Sequence, residues 1–434
     1  MIKFDLFSKS IPAMPATGEG TEVINFILQN ASEDMRQPLA SMMFPALATH
    51  VSSEVQFQYA SNQWFELCGE MSHLVAHSGA GKGELTSLNA AIMRRAKEHD
   101  REQERVYNEW AKTVKSLGAN RQKPPRPEVA YYFPTPNMTN PAFIQNAMAL
   151  EAQGGASQFI DMPEVEMAYK LCGGRGNMKD VILNIFDRGH QGSLRATAEG
   201  VTGNPLLRVN FTMSSTEERT RKFYRNEVTS GLMARIAFTY IPRRELSGII
   251  PRQGEYNEEY LAALDEKLHQ LQAQRGRFVV EELNGVAREL AAELPDIVSV
   301  SGNNILEELS HRAIIIAWKK GALLWLLNNQ QWTPSIGEFV KYFYYYDLWS
   351  KLQIFGDMIE KANEEAHSTG KGGPRNWLSE LPETFTEQQL RNLRQKLGAS
   401  EEGTLHQLHV WKNRKYVTYN PATGIYTKTL NNVV

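Results

Sequence analysis

The stretch Ala76-His77-Ser78-Gly79-Ala80-Gly81-Lys82-Gly83 has the composition of a phosphate-binding loop. Glycines let backbone N–H groups wrap an anion. The lysine reaches the β- and γ-phosphates, and a helix starting there adds the positive end of its dipole. Such loops commonly close on Ser or Thr, whose hydroxyl binds magnesium. Gly83 stands at that place here, so the metal position is degenerate. The apolar run His73-Leu74-Val75-Ala76 precedes the loop and a long helical pattern follows, the order that a phosphate loop needs. The expected ligand is ATP with Mg2+, held by Ser78, Gly79, Ala80, Gly81, Lys82 and Gly83. Glu84 or Thr86 stand next in line to assist a hydrated metal, though neither is a standard ligand. The competing reading is an ordinary glycine-rich turn.

Further along, Gln158-Phe159-Ile160-Asp161-Met162-Pro163-Glu164-Val165-Glu166 reads as a buried strand ending in carboxylates. A nucleotide hydrolase needs one acid to hold magnesium and another to orient the attacking water. Asp161 suits the first role and Glu164 the second, with Glu166 as its substitute; solvated acids on a surface turn are the alternative. Leu206–Met213 leads into Ser214-Ser215-Thr216. Ser214 at the tip of that strand is placed to read a γ-phosphate, while Thr216-Glu217-Glu218 is good capping chemistry for a helix. Arg235, at the start of a further strand, suits an arginine finger or a structural ion pair equally well. Arg219, Arg221, Lys222 and Arg225 read as the solvated face of a helix.

Other chemistry finds little support. The ten histidines are scattered, and His406 and His409 have no Cys, Asp or Glu after them to complete a zinc site. Cys68 and Cys172 cannot build a disulfide framework, and neither has a histidine at the spacing of a thiol nucleophile. A reducing, cytoplasmic setting fits two cysteines best. Basic and acidic residues number 47 and 49 in 434, so the chain is no polybasic coat, and any nucleic-acid contact must be a local patch. The apolar stretches Ala313–Trp318 and Gly321–Leu327 are interrupted by Lys319 and Lys320, far short of the roughly 20 residues of a membrane span.

Elements must position these residues. Two helices are expected over 21–50, and one long charged helix from Glu84 to Leu117, stopped by Gly118. Lys123-Pro124-Pro125-Arg126-Pro127 is a stiff spacer. Strands at Val129–Phe133, Ser157–Asp161, Leu206–Met213 and Met233–Ile241 alternate with helices at Asn140–Leu150, Asn177–Phe186 and Glu217–Arg225, with an edge strand or hairpin arm at Ser193–Ala198. That alternation predicts a mostly parallel sheet with helices on its faces. From about Tyr256 the pattern turns helical, through Leu306–Leu327 and Ile336–Ala362. The run Tyr342-Phe343-Tyr344-Tyr345-Tyr346 reads as core and interface.

After the Gly-rich linker Ser368–Arg375, helices at Thr386–Leu397 and Thr404–Trp411 and a hairpin of Lys415–Tyr419 with Ile425–Thr429 spell a winged-helix pattern. Beyond Glu402 the chain carries Lys412, Arg414, Lys415 and Lys428 and no acid. Such a unit can set its second helix in the major groove and its wing on the backbone of DNA. A protein–protein module or a helix cap for the main domain is the alternative.

The order of parts resembles a domain-of-unknown-function family of RecA-like P-loop ATPases from bacterial prophages, integrative elements and plasmids, often found beside or fused to primase modules. The helical lead-in, the loop to Gly83, the charged helix, Phe159–Glu166, Leu207–Ser215, Gly231–Phe238, His311–Ala317 and the Tyr-rich helix carry the resemblance, over about residues 20–365. It implies a RecA-type core, ATP binding and a helicase-like role in replication or maintenance of a mobile element, with a homo-oligomeric ring and a primase partner as expectations. The organisation expected is an N-terminal segment (1–20), a P-loop core with its lead-in (21–250), a helical domain (251–367) and a linker with a winged-helix-like tail (368–434). A hydrolysis-deficient DNA scaffold or loader, or a nucleic-acid-sensing defence ATPase, are the alternative functions.

Overall fold

The fold comes from a computed structural model. It describes all residues except 1–5, 7, 9, 118–120, 174, 195–199, 244–252, 296, 298–302, 369–376, 397–403, 414–415 and 430–434. Helices α1 (Glu22–Ile27), α2 (Glu33–Met42) and α3 (Phe44–Ala48) lead into strands β1 (Val55–Gln58), β2 (Trp64–Glu66) and β3 (Met71–Ala76). Then come α4 (Gly83–Ile92), α5 (Arg94–Ser116), α6 (Asn140–Ala152), β4 (Gln158–Met162), a 3-10 stretch at Val165–Gly173 and α7 (Arg175–Phe186). They are followed by β5 (Val209–Ser215), α8 (Glu217–Phe223), a 3-10 turn at Met233–Arg235 and β6 (Ala237–Ile241). Next are α9 (Glu258–Ala273), β7 (Gly276–Phe278), α10 (Glu281–Ala292), α11 (Asn304–Leu327) and α12 (Pro334–Ser368). The tail holds α13 (Trp377–Glu380), β8 (Thr384–Thr386), α14 (Glu387–Lys396), α15 (Thr404–Asn413), β9 (Val417–Asn420) and β10 (Ile425–Lys428).

The central sheet has four parallel strands in the order β4-β5-β3-β6. Every residue of β3 and β5 is buried, because both faces carry helices. This is the RecA-like α/β arrangement: the loop-bearing strand sits inside the sheet, and β5 lies between it and the acidic strand. A second small sheet, β2-β1-β7, joins the lead-in to the chain after α9 through parallel pairing of β1 with β7. One apolar cluster runs from Leu6 to Ile359, so it crosses the boundary expected at 250. Tyr342, Phe343, Tyr344, Tyr345 and Tyr346 are all buried in it. The tail has its own cluster around Phe385, Leu390 and Trp411. Its three antiparallel strands run β8-β10-β9, with α14 and α15 between β8 and the β9–β10 hairpin.

Three expectations need correction. The helix expected from Glu84 to Leu117 is two, because Met93, at φ −94° and ψ 18°, leaves helical geometry and separates α4 from α5. Val129–Phe133 forms no strand. It hangs along the edge of β4, where Tyr132 and Phe133 give their N–H groups to the Asp100 carboxylate at 2.9 and 2.7 Å and the Tyr132 carbonyl accepts from Phe159 at 2.8 Å. Met233–Ile241 opens with a 3-10 turn, and only Ala237–Ile241 is strand. Of the arm expected at Ser193–Ala198, residues 195–198 lie outside the described residues, as do Gly118 and most of the linker expected at Ser368–Arg375; isolated antiparallel bridges join Ser193 with Gly203 and His190 with Leu206.

Both outer edges of the sheet are covered. Opposite the β4 edge, α12 lies along β6: Phe238 N–H donates to Asp347 Oδ1 at 2.7 Å and Tyr240 N–H to Ser350 Oγ at 3.0 Å. Lys351 holds Asp347 from behind at 2.7 Å. Among the described residues no helix is long and apolar enough to cross a membrane.

Candidate functional site

β3 ends at Ala76 and α4 begins at Gly83. The loop between them turns on Gly79 and Gly81, whose φ angles of +82° and +83° lie in the left-handed region that side chains resist. Ser78 and Gly79 stand exposed at its crest. The loop and the N-terminus of α4 therefore share the open carboxyl ends of the strands, where parallel α/β sheets bind ligands. Lys82 stands at the N-cap of α4 and donates from Nζ to the carbonyls of Ala76 at 3.2 Å and His77 at 2.9 Å. Burial holds its ammonium below the ordinary lysine value; the charge of Glu164 pulls it back up and that of Arg219 pushes it down. This is a P-loop arrangement.

Glu84 is committed elsewhere. Its Oε2 accepts the Ser32 N–H at 2.9 Å and its Oε1 the Ser32 hydroxyl at 2.6 Å, so it ties the N-cap of α2 to the first turn of α4. The metal-assisting place expected for it is taken by this buried pairing. Asp161 sits deeper than the loop. It pairs in register with Thr212, which pairs with Ser72, four residues before Ala76. Its Oδ1 accepts from Thr212 at 2.9 Å and Asn89 at 3.2 Å. Burial raises its carboxyl, against the pull of these bonds, of Lys97 and of Thr86. Thr86, Asn89 and Lys82 lie near helical spacing on one side of α4, so the acid is locked under the helix that the loop starts.

Glu164, two residues past β4, is half-exposed and pairs with Arg219 Nη1 at 2.8 Å; Glu166 is 3.6 Å from Arg219 Nε. Ser214 does not point into open space: its hydroxyl donates to the Pro163 carbonyl at 2.7 Å and pins the acidic turn to β5. Thr216 is the N-cap of α8, without a side-chain cap bond. Arg235 is not brought to the loop. It lies two residues before β6, whose Ala237 pairs with Ser72 and Ile241 with Ala76, so it stands at the far end of the sheet, about 20 Å along the strand direction. There it pairs with Asp187 at 2.5 Å, bonds the Gly231 carbonyl and covers the Phe186 ring. Of the two roles expected of it, the structure shows the ion pair.

Sequence reasoning passed over Arg219 as a solvated helix residue, and it passed over Asn89 and His73. Asn89 was findable: it falls seven residues after Lys82, two turns down the same helix. His73 was not, because nothing local marks a buried histidine bonded to Ser215 at 2.8 Å and Tyr224 at 3.2 Å. Among the described residues no group of His, Cys, Asp or Glu could hold a metal by itself.

A cavity of about 360 Å³ lies away from the loop, walled by His50, Arg95, His99, Tyr132, Gln153 and Arg275. The carbonyl ends of α3, α4, α6 and α9 converge on it, and its arginines offset them. They are already paired, Arg95 with Asp265 and Glu98 and Arg275 with Glu54. It takes no part in the loop's chemistry.

No protein-family profile matches this chain, and no curated protein matches it. Among solved structures it is similar to the ORC2 protein of Aeropyrum pernix in its ADP form, at 12% identity over 99% of this chain and 94% of that one, with a TM-score of 0.22. The ADPNP–ADP complexes of the same protein align at 12% identity over 98% and 93%, also at 0.22. The nucleotide reading rests on the loop, the strand order and the lysine.

Proposed function

We propose that this protein binds ATP at the loop from Ala76 to Gly83, hydrolyses it, and uses the cycle as a helicase-like motor on DNA in the replication or maintenance of a mobile element. The observation that carries the nucleotide part is Lys82 poised between two left-handed glycines and a helix N-terminus, at the carboxyl end of an inner parallel strand. The loop amides and Lys82 would hold the phosphates, and Glu164 would orient the attacking water. Magnesium would neutralise phosphate charge. Glu164 and Glu166 at the mouth suit its hydrated form better than Asp161, whose Oδ1 is filled by Thr212 and Asn89 and which faces Lys97. Arg235 serves this scheme only across a subunit boundary in a ring.

The DNA part rests on the tail. Its second full helix, α15, exposes Leu405, His409 and Lys412, and Lys412 lies 5.6 Å over the Tyr419 ring of the hairpin. We assign DNA contact to that face, and a primase as partner remains part of the same proposal. Two observations favour a second reading: Gly83 leaves the metal-side hydroxyl missing and Arg219 occupies Glu164, which together describe a nucleotide-gated scaffold or loader. The test is ATP binding and turnover by the full chain with magnesium, with and without single-stranded DNA. Turnover that rises with DNA supports the motor. Binding without turnover supports the scaffold. No binding overturns both.

A further inference from the structure

We propose that Arg219 is the residue that tells a nucleoside triphosphate from a diphosphate, by leaving Glu164 for the terminal phosphate. The inference rests on the loop being a triphosphate site, and it adds a residue that the loop pattern does not contain.

Position comes first. β5 is hydrogen-bonded directly to β3, with Ser215 opposite Val75, one residue before the loop strand ends. Adjacent strands stand about 4.8 Å apart, so the start of α8, two residues after Ser215, lies beside the start of the loop. Arg219 is in the first turn of that helix. Arg221, two residues on, is turned away and bonded to Asp357 and the Ile354 carbonyl of α12. Arg219 instead faces the acidic turn that Ser214 pins to the strand tip.

Exchangeability comes second. Arg219 and Glu164 are each about half-exposed (51% for both side chains), and the second acid, Glu166, is 3.6 Å away. A pair that open to water is weak. A phosphate carries more charge than a carboxylate and meets the planar guanidinium with two parallel hydrogen bonds. Nearby, the Lys82 ammonium feels the charges of both Glu164 and Arg219, so the three groups share one electrostatic neighbourhood. A terminal phosphate gripped by Lys82 competes with Glu164 for Arg219. When it wins, Glu164 is released as a free carboxylate beside that phosphate. A diphosphate ends short of Arg219 and leaves the pair closed.

The test measures affinity of the full chain for ADP and for a non-hydrolysable ATP analogue, with magnesium present. Arg219→Ala should weaken the analogue about tenfold, the scale of one charged phosphate contact, while ADP changes less than twofold. Glu164→Gln should tighten the analogue about threefold, the worth of an exposed pair no longer opposed. The gain should vanish in the double variant. Lys82→Ala should weaken both nucleotides. Equal losses for both nucleotides in Arg219→Ala, or a Glu164→Gln gain that survives it, overturn the role of Arg219 while the loop reading stands. A wild-type chain that binds neither nucleotide overturns the loop reading and this proposal with it.

Discussion

Lys82 and the glycines around it divide the labour at the loop. The lysine supplies charge, and Gly79 and Gly81 supply a backbone shape. The two are separable by mutation. Lys82→Ala should abolish measurable nucleotide affinity with little change in melting temperature, because its Nζ bonds only loop carbonyls. Gly81→Ala forces a side chain into the left-handed region with Met35 and Glu84 close by, so it should weaken binding and stability together, by about 1–2 kcal/mol in stability. Calorimetry of both variants checks this. Acid sensitivity is also a residue-scale property. Burial holds His73 down to about 3, and burial, against its bond to the Ile92 carbonyl, holds His50 down to about 4. Between their ordinary value of about 6.5 and these values the unfolded chain binds protons that the folded chain refuses. Their stabilising effect is therefore complete above about pH 6.5 and is lost as the pH falls. The loss should be on the order of 2 kcal/mol for each by pH 5, read as a falling urea midpoint; a midpoint flat from pH 7 to 5 contradicts it. The loop was legible because its chemistry is contiguous in sequence. The pairings of Glu84 with Ser32 and of Glu164 with Arg219 span 52 and 55 residues and leave no local trace.

Elements were read best where periodicity alone decides. The helical pattern expected from about Tyr256, seen as α9 with Leu264, Leu268 and Leu271 buried, and the paired helices α11 and α12 fall close to where spacing puts them. The errors fall where a side chain overrides the pattern. Tyr131-Tyr132-Phe133 has strand composition, yet flanking prolines and the Asp100 carboxylate take it out of the ladder. Removing that carboxylate should release the segment. Asp100→Ala is expected to cost about 2–3 kcal/mol, the worth of hydrogen bonds to a buried charged group, and to raise hydrogen exchange at Tyr132 and Phe133 above that elsewhere. At the crossing of α11 and α12, a Cβ on Gly321 would lie 2.4 Å from Val340 Cγ2 and 2.8 Å from Leu283 Cδ1. Gly321→Ala therefore overpacks the interface, with an expected loss of about 1–3 kcal/mol. Gly321→Ala with Val340→Ala should recover part of it in thermal unfolding.

At the scale of the whole molecule, the shared apolar cluster makes the lead-in, the sheet and the later helices one cooperative body, while the tail carries a core of its own. A chain ending at residue 368 should keep ATP binding and lose most DNA stimulation of turnover. Retained stimulation would move the nucleic-acid surface onto the core. The linker and composition mark out the tail in the sequence, whereas the reach of the apolar cluster past residue 250 leaves no local trace, because burial depends on partners distant in the chain.

The covered edges of the central sheet bear on assembly. An open parallel sheet offers two rows of unsaturated peptide groups on which a second copy can polymerise. Here the β6 row gives two N–H groups to the Asp347 and Ser350 side chains, and the β4 row gives one, from Phe159, to the Tyr132 carbonyl of the strap. Strand addition at the β6 edge therefore has to displace α12, and concentrated samples should resist fibril growth from that edge for as long as α12 stays docked on β6.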